Sequence, residues 1–196
     1  MDKFQNKYRT KSCRLQHWNY GWNAAYFVTI CTANRHCYFG KILDGNMQLS
    51  ALGRKAGSCW LEIPKHFPFV ILDVFVVMPN HMHGIIIINN PDNPSVETQD
   101  FASLSPDPET QNLASLQHTP PQNQFGPQSK NLASIVRGYK IGVNKQAKLM
   151  QENFAWQPRF HEHIIRSEGA YLKIAEHVQT NPLKWQEDKY HVNLVE

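Results

Sequence analysis

Two histidines separated by one residue are the feature of this sequence best suited to chemistry. His81 and His83 lie in the run Pro79-Asn80-His81-Met82-His83-Gly84, between two apolar segments at residues 70–78 and 85–88. Side chains alternate across a β-strand, so both imidazoles project from one face and Met82 from the other. Two imidazoles on one strand face can grip a single divalent metal ion while Met82 packs into a core. The competing reading is a polar pair that closes a strand end. His161 and His163 form a second i,i+2 pair, an internal rival for the metal.

The elements that must position these residues follow from periodicity and turn chemistry. Tyr26-Phe27-Val28-Thr29-Ile30-Cys31-Thr32 is rich in β-branched and aromatic residues and predicts a strand. Residues 38–40 and 47–49 flank Asp44-Gly45, a hairpin turn signal. Ser50 predicts an N-cap for a helix over about 51–66, with Pro64 near its end. Residues 70–78 are apolar except for Asp73, which predicts a central strand covered on both faces. Pro79-Asn80 breaks that run, and residues 81–88 return as its partner. Leu132, Ile135, Val136, Tyr139 and Val143 recur at helical spacing over 131–150, with Gly138 and Gly142 as weak points where another backbone could come close. Residues 160–166 predict a strand, and Ser167 caps a last helix that ends near Asn181-Pro182. The order β-α-β-β-(insertion)-α-β is that of an α+β protein: a ferredoxin-like split βαβ fold with a central antiparallel sheet and a C-terminal helix.

Composition bounds the rest. A chain of 196 residues predicts one domain, here with a basic N-terminal arm over 1–20 and an insertion over 91–128. The insertion holds seven of the twelve prolines, and Glu97-Thr98-Gln99-Asp100-Phe101-Ala102-Ser103-Leu104 recurs as Glu109-Thr110-Gln111-Asn112-Leu113-Ala114-Ser115-Leu116. Such a segment reads as disordered and excluded from the core. None of the four cysteines forms a Cys-x-x-Cys pair, and no apolar run approaches the ~20 residues that span a bilayer. A reduced cytoplasmic, nucleoid-associated protein is the expectation. The net charge of +4 is uneven. Lys3, Lys7, Arg9, Lys11 and Arg14 load the arm, and Lys130, Arg137, Lys140, Lys145 and Lys148 load a segment without acids. Separated basic blocks fit a polyanion partner, against the plainer reading of solvated surface.

Taken together, five stretches resemble the REP-associated tyrosine transposases, relatives of the single-tyrosine transposases of the HUH nuclease superfamily. They are Tyr26-Phe27-Val28-Thr29-Ile30-Cys31-Thr32, Val76-Val77-Met78-Pro79-Asn80-His81-Met82-His83-Gly84-Ile85, Ser134-Ile135-Val136-Arg137-Gly138-Tyr139-Lys140, Trp156-Gln157-Pro158-Arg159-Phe160-His161-Glu162-His163-Ile164-Ile165-Arg166 and Asn181-Pro182-Leu183-Lys184-Trp185. The resemblance implies a single-strand DNA endonuclease and strand transferase that acts on hairpin-forming repeats. His81 and His83 match the metal-binding histidines and Tyr139 the nucleophilic tyrosine. Relatives place a polar third ligand about one turn after the tyrosine. Here Val143 holds that position, which leaves the neighbouring Asn144 as the nearest candidate.

The implied chemistry is coherent. A cation on the phosphate oxygens offsets their charge, and imidazoles with an oxygen ligand suit Mn²⁺, or Mg²⁺ with retained waters. Attack by Tyr139 would give a 5′-phosphotyrosine and a free 3′-OH, conserving the bond energy for transfer. Lys140 beside it could assist ionisation of the phenol, whose reference pKa is about 10. Lys3, Lys7, Arg9, Lys11, Arg14, Arg137 and Lys140 are the expected phosphate contacts. Without the resemblance, Tyr139 reads as core, and Trp156 and Trp185 read as packing anchors. Two rivals predict different outcomes: a structured-DNA-binding module that does not cut, and a water-using metal nuclease that forms no covalent adduct. Either a monomer or a homodimer fits the pattern.

Overall fold

Alternation along four strands builds the centre of the molecule. The computed structural model describes residues 3–4, 7–8, 15, 18–91 and 129–192. Its elements are β1 (Lys3–Phe4), β2 (Lys7–Tyr8), β3 (Ala24–Cys31), β4 (Gly40–Leu43), β5 (Asn46–Leu49), α1 (Ala51–Leu61), α2 (Ile63–His66), β6 (Val70–Val77), β7 (His81–Ile88), α3 (Leu132–Leu149), β8 (His161–Ile165) and α4 (Glu168–Thr180). The central sheet runs β6-β7-β3-β8, with every neighbour antiparallel. The two inner strands are thus separated in sequence by a helix and an outer strand, which is the expected split βαβ arrangement.

The two faces of this sheet do different work. Tyr26, Val28 and Ile30 of β3 and Met82, Ile86 and Ile88 of β7 share one face and are buried in the main core. Trp60 of α1 and Ile135, Val136, Tyr139 and Val143 of α3 close that core. On the other face lie Phe27, Thr29 and Cys31 with His81 and His83, paired across the β3–β7 ladder as Thr29 to His83 and Cys31 to His81. There α4 packs over β6, β7 and β8.

Local chemistry sets the element ends. Ser50 Oγ accepts from the Gly53 amide at 2.9 Å and starts α1. The helix expected over 51–66 is two: α1 stops before Glu62, and α2 restarts with Pro64 in its first turn. Asp44 (φ 49°) and Gly45 (φ 72°) form the two-residue β4–β5 turn with both residues left-handed, as a type I′ hairpin requires. Asn131 and Ser134 form a reciprocal capping box at the start of α3.

Two expectations are corrected. Residues 70–77 form an edge strand, not a central one. Their apolar character comes from cover on both faces, α4 on one and α1 and α2 on the other, while Ile71 at the margin is 51% exposed. A register shift between Leu72 and Phe75 brackets Asp73, which accepts from its neighbour's amide and from the Tyr171 hydroxyl at 2.6 Å. Gly138 and Gly142 do not face a ligand. A Cβ at Gly138 would lie 3.2 Å from the Phe67 ring, and one at Gly142 would lie 3.6 Å from Cys59 Sγ. They let α3 sit close to its neighbours. Of the expected arm, Lys3 and Lys7 fall in the β1–β2 hairpin, while Arg9, Lys11 and Arg14 lie outside the described residues. The insertion also lies outside them from residue 92 onward.

Gly84 shows how tightly the core face is built. A Cβ there would stand 2.5 Å from Trp60 Cζ2 and 3.1 Å from Phe75 Cβ. Gly84→Ala is therefore expected to destabilise the protein by about 1–3 kcal/mol through overpacking. Urea unfolding monitored by tryptophan fluorescence checks this, and an unchanged midpoint would show that Trp60 yields freely.

Candidate metal centre

The β6–β7 turn delivers both histidines already oriented. Thr32 holds the turn, its amide and its hydroxyl each donating to the Asn80 carbonyl at 2.9 Å. The Asn80 side chain is fully committed. Its Nδ2 donates to the Arg35 carbonyl at 3.1 Å and the Tyr190 carbonyl at 2.8 Å, which turns Oδ1 towards His81 Nδ1 at 2.8 Å. An amide oxygen only accepts, so His81 carries its proton on Nδ1 and leaves a lone pair on Nε2. His83 Nδ1 lies 2.8 Å from the Thr29 hydroxyl. When Thr29 accepts there, the His83 Nε2 lone pair faces the same point, because the two Nε2 atoms are 3.0 Å apart.

A carboxylate completes the cluster. Asp188 Oδ2 lies 4.0 Å from His81 Nε2, with its side chain only 4% exposed. Asn181 Nδ2 donates to the same oxygen at 2.8 Å, and the Tyr190 amide donates to Oδ1 at 2.6 Å. His81, His83 and Asp188 thus bring three ligand atoms within 4.8 Å of one another. Two neutral imidazoles and one carboxylate, each fixed by an outer partner, form a donor set that fits Mn²⁺ or another divalent ion.

Electrostatics agree with that donor set. Burial, then the nearby positive groups, pushes His81 down to about 3. Burial and the neighbouring His81 likewise hold His83 well below the usual imidazole range. Both rings are therefore neutral at pH 7, the form that ligates a cation. His81 is 0% and His83 2% exposed. Phe27 stacks on His83 at 5.2 Å between centroids, and His177 of α4 approaches the same ring at 5.2 Å. Tyr190 and Trp185 cover His81, at 4.7 and 6.0 Å.

The remaining expected site residues fall elsewhere. Tyr139 is on the opposite face of the sheet: it is 3% exposed, its ring is 5.4 Å from Trp60 and 5.8 Å from Trp156, and both belong to the apolar side. Its hydroxyl has no hydrogen-bond partner among the described residues, and burial raises the phenol well above its ordinary range. Asn144 is exposed on α3, on that same far side, away from the two histidines; the carboxylate grouped with them is that of Asp188. Lys140 points away from the Tyr139 hydroxyl, which has no hydrogen-bond partner among the described residues. Its Nζ donates to the carbonyls of Gln157 and Arg159 at 2.9 and 2.6 Å and lies over Trp156, tying α3 to the approach to β8. Arg137 is exposed on α3. His161 and His163 are exposed on β8 and outside the ligand cluster. Trp156 is the expected packing anchor.

Sequence reasoning missed Asp188, Tyr190 and His177. The run Gln186-Glu187-Asp188-Lys189-Tyr190 has no periodicity to mark it. The available signal was Asn181-Pro182, whose asparagine turns out to hold the Asp188 carboxylate.

No protein-family model matches the chain. A Haemophilus influenzae protein of uncharacterised function is 40% identical over 184 residues, covering 93% of each chain, and the two belong to one family. Among solved structures, a REP-associated tyrosine transposase bound to a REP hairpin matches with a TM-score of 0.55 at 19% identity, over 92% of this chain and 77% of that one. The fold is that of the REP-associated tyrosine transposases. Among the described residues, no helix is long and apolar enough to cross a membrane.

Two outcomes follow from this geometry. Tyr139→Phe removes a buried hydroxyl without a partner, whose desolvation costs about 1–3 kcal/mol, so the variant should be at least as stable as the parent in thermal unfolding. A marked loss would reveal a hidden partner. The second concerns pH. Below 6.5 the unfolded chain takes up protons that folded His81 refuses until about 3, so stability present at pH 7 drains away as pH falls across that window. Urea midpoints measured in chelator should fall between pH 7 and 4, and His81→Asn should flatten the slope. An unaltered slope would assign the loss to other groups.

Proposed function

We propose that this chain binds hairpin-forming DNA and cuts its adjoining single strand at the His81–His83–Asp188 centre, aided by a divalent cation. The observation that carries this reading is the convergence of two neutral imidazoles and one carboxylate in a fold shared with a transposase bound to a DNA hairpin. A cation held there would offset charge on the phosphate oxygens and favour an in-line displacement at phosphorus.

The chain's own residues supply the rest. Asn80 and Thr29 orient the two rings, and Asn181 orients the carboxylate, so the donor set is held in place before a cation enters. Lys3, Lys7, Arg9, Lys11 and Arg14 would contact hairpin phosphates, and Arg137 is exposed for the same purpose; such contacts fix position without reading sequence. Tyr139 is left out of the chemistry, since its phenol would have to leave the core to reach the other face. Strand transfer through a covalent intermediate extends the same reading.

One observation favours a second reading, a structured-DNA-binding module that does not cut. His81 and His83 are almost wholly buried, His81 under Trp185 and Tyr190 and His83 under Phe27 and His177, and this cover would have to open before a phosphodiester could enter. Denaturing gels of labelled single strands bearing REP-like hairpins, incubated with Mn²⁺, separate the two. Cutting that chelator abolishes supports the nuclease; retention in native gels without cutting supports the module.

The ligand assignment has its own test. Asp188→Ala should weaken Mn²⁺ binding on the order of tenfold or more, as loss of an anionic ligand does, whereas Asn144→Ala should leave it unchanged. Titration calorimetry reads both. The opposite pattern would restore Asn144 as a ligand.

A further inference from the structure

A tyrosine does stand at the metal centre, and it is not the one on α3. The Tyr190 ring lies 4.7 Å from His81 and 6.0 Å from His83, two residues beyond the Asp188 ligand. Its backbone is gripped on both sides. Asp188 Oδ1 accepts its amide at 2.6 Å, and Asn80 Nδ2 donates to its carbonyl at 2.8 Å. The same Asn80 side chain orients His81, so one amide sets the spacing between a metal ligand and a phenol. Arg35 helps hold this arrangement. It sits in the left-handed region (φ 56°), which costs a non-glycine residue about 1–3 kcal/mol, and it donates to the Lys189 carbonyl at 2.7 Å. Strain of that kind persists only where the surroundings enforce it. The Arg35 guanidinium stands 5.3 Å from the Tyr190 ring centre and the Lys189 ammonium 4.8 Å, so negative charge developing on the phenol would meet two cations.

We propose that Tyr190 is the nucleophile for DNA cleavage at this centre; this rests on the cleavage reading given above. The phenolic oxygen attacks phosphorus and forms the P–O bond of a 5′-phosphotyrosine. The bond from phosphorus to the 3′ oxygen breaks, its electron pair stays on that oxygen, and a proton from water makes it a 3′-OH while the phenolic proton leaves to solvent. A later 3′-OH reverses the step without an added energy source, because the phosphodiester energy is stored in the tyrosyl ester. Asn80 and Arg35 are positioning residues in this scheme.

The test uses the full chain, Mn²⁺ and a hairpin-bearing strand labelled at its 3′ end, because the strand beyond the cut keeps the protein on its 5′ end. A labelled band at protein size is expected. Trypsin cuts after Lys189, so mass spectrometry should place the nucleotide on the peptide that begins at Tyr190. Tyr190→Phe keeps the ring and its cations; it should retain hairpin binding and lose the adduct, while Tyr139→Phe keeps both. An adduct mapped to Tyr139 would overturn the assignment. So would an acid-labile adduct, the mark of phosphohistidine at His177, or cut DNA with no adduct at all; each leaves cleavage itself standing. Absence of cutting by the unaltered protein would instead defeat the cleavage reading and this inference with it.

Discussion

The two-residue period of β7 is the constraint on which everything else depends. It sends Met82, Ile86 and Ile88 into the apolar core and His81 and His83 to the other side, so one strand serves both the core and the candidate metal site. A slip of one residue would exchange the two sets, burying imidazoles against Trp60 and placing Met82 at the candidate metal site. The ladder to β3 resists that slip because both neighbours are specific. Thr29 stands opposite His83 and bonds its ring, while Ile30 stands opposite Met82 in the core. Gly84, between the two functions, is small because the Trp60 ring occupies the space where its side chain would be.

Asn80 translates this register into a site. It sits in the turn that begins β7, its carbonyl is held by Thr32, and its amide reaches His81, Arg35 and Tyr190 together. Burying a polar side chain is costly unless its hydrogen-bonding groups are met, and those of Asn80 are met by groups from three separate stretches of chain. The segment after α4 is drawn in the same way, with Asn181 on Asp188 and Asp188 on the Tyr190 amide. The donor set is therefore assembled by hydrogen bonds between side chain and backbone rather than by a continuous motif. Both imidazoles stay neutral for the same reason that the core holds together: water is kept out.

On the other face, Tyr139 is held in the apolar core between Trp60 and Trp156. Its neighbours on α3 recur at helical spacing because that face packs on α1, and Gly138 and Gly142 are small because Phe67 and Cys59 lie against them. Lys140, one position on, has its ammonium committed to two carbonyls and set over the Trp156 ring. Adjacent residues on a helix point in directions about 100° apart, which sends Tyr139 into the core and Lys140 to its margin.

Local pattern by itself determined the strand and helix order, the Ser50 and Ser167 caps, the Asp44-Gly45 hairpin turn and the shared face of His81 and His83. Each of these depends on residues within a few positions of one another, where backbone geometry leaves few choices. It did not determine that 70–77 lies at the sheet edge, since an apolar run reports covered faces and not neighbouring strands. Nor could it pair Asp188 and Tyr190 with the histidines or set Tyr139 behind the sheet. Those relations join chain segments far apart in sequence, and only the packing of helices on two sides of one sheet decides which side chains share a face.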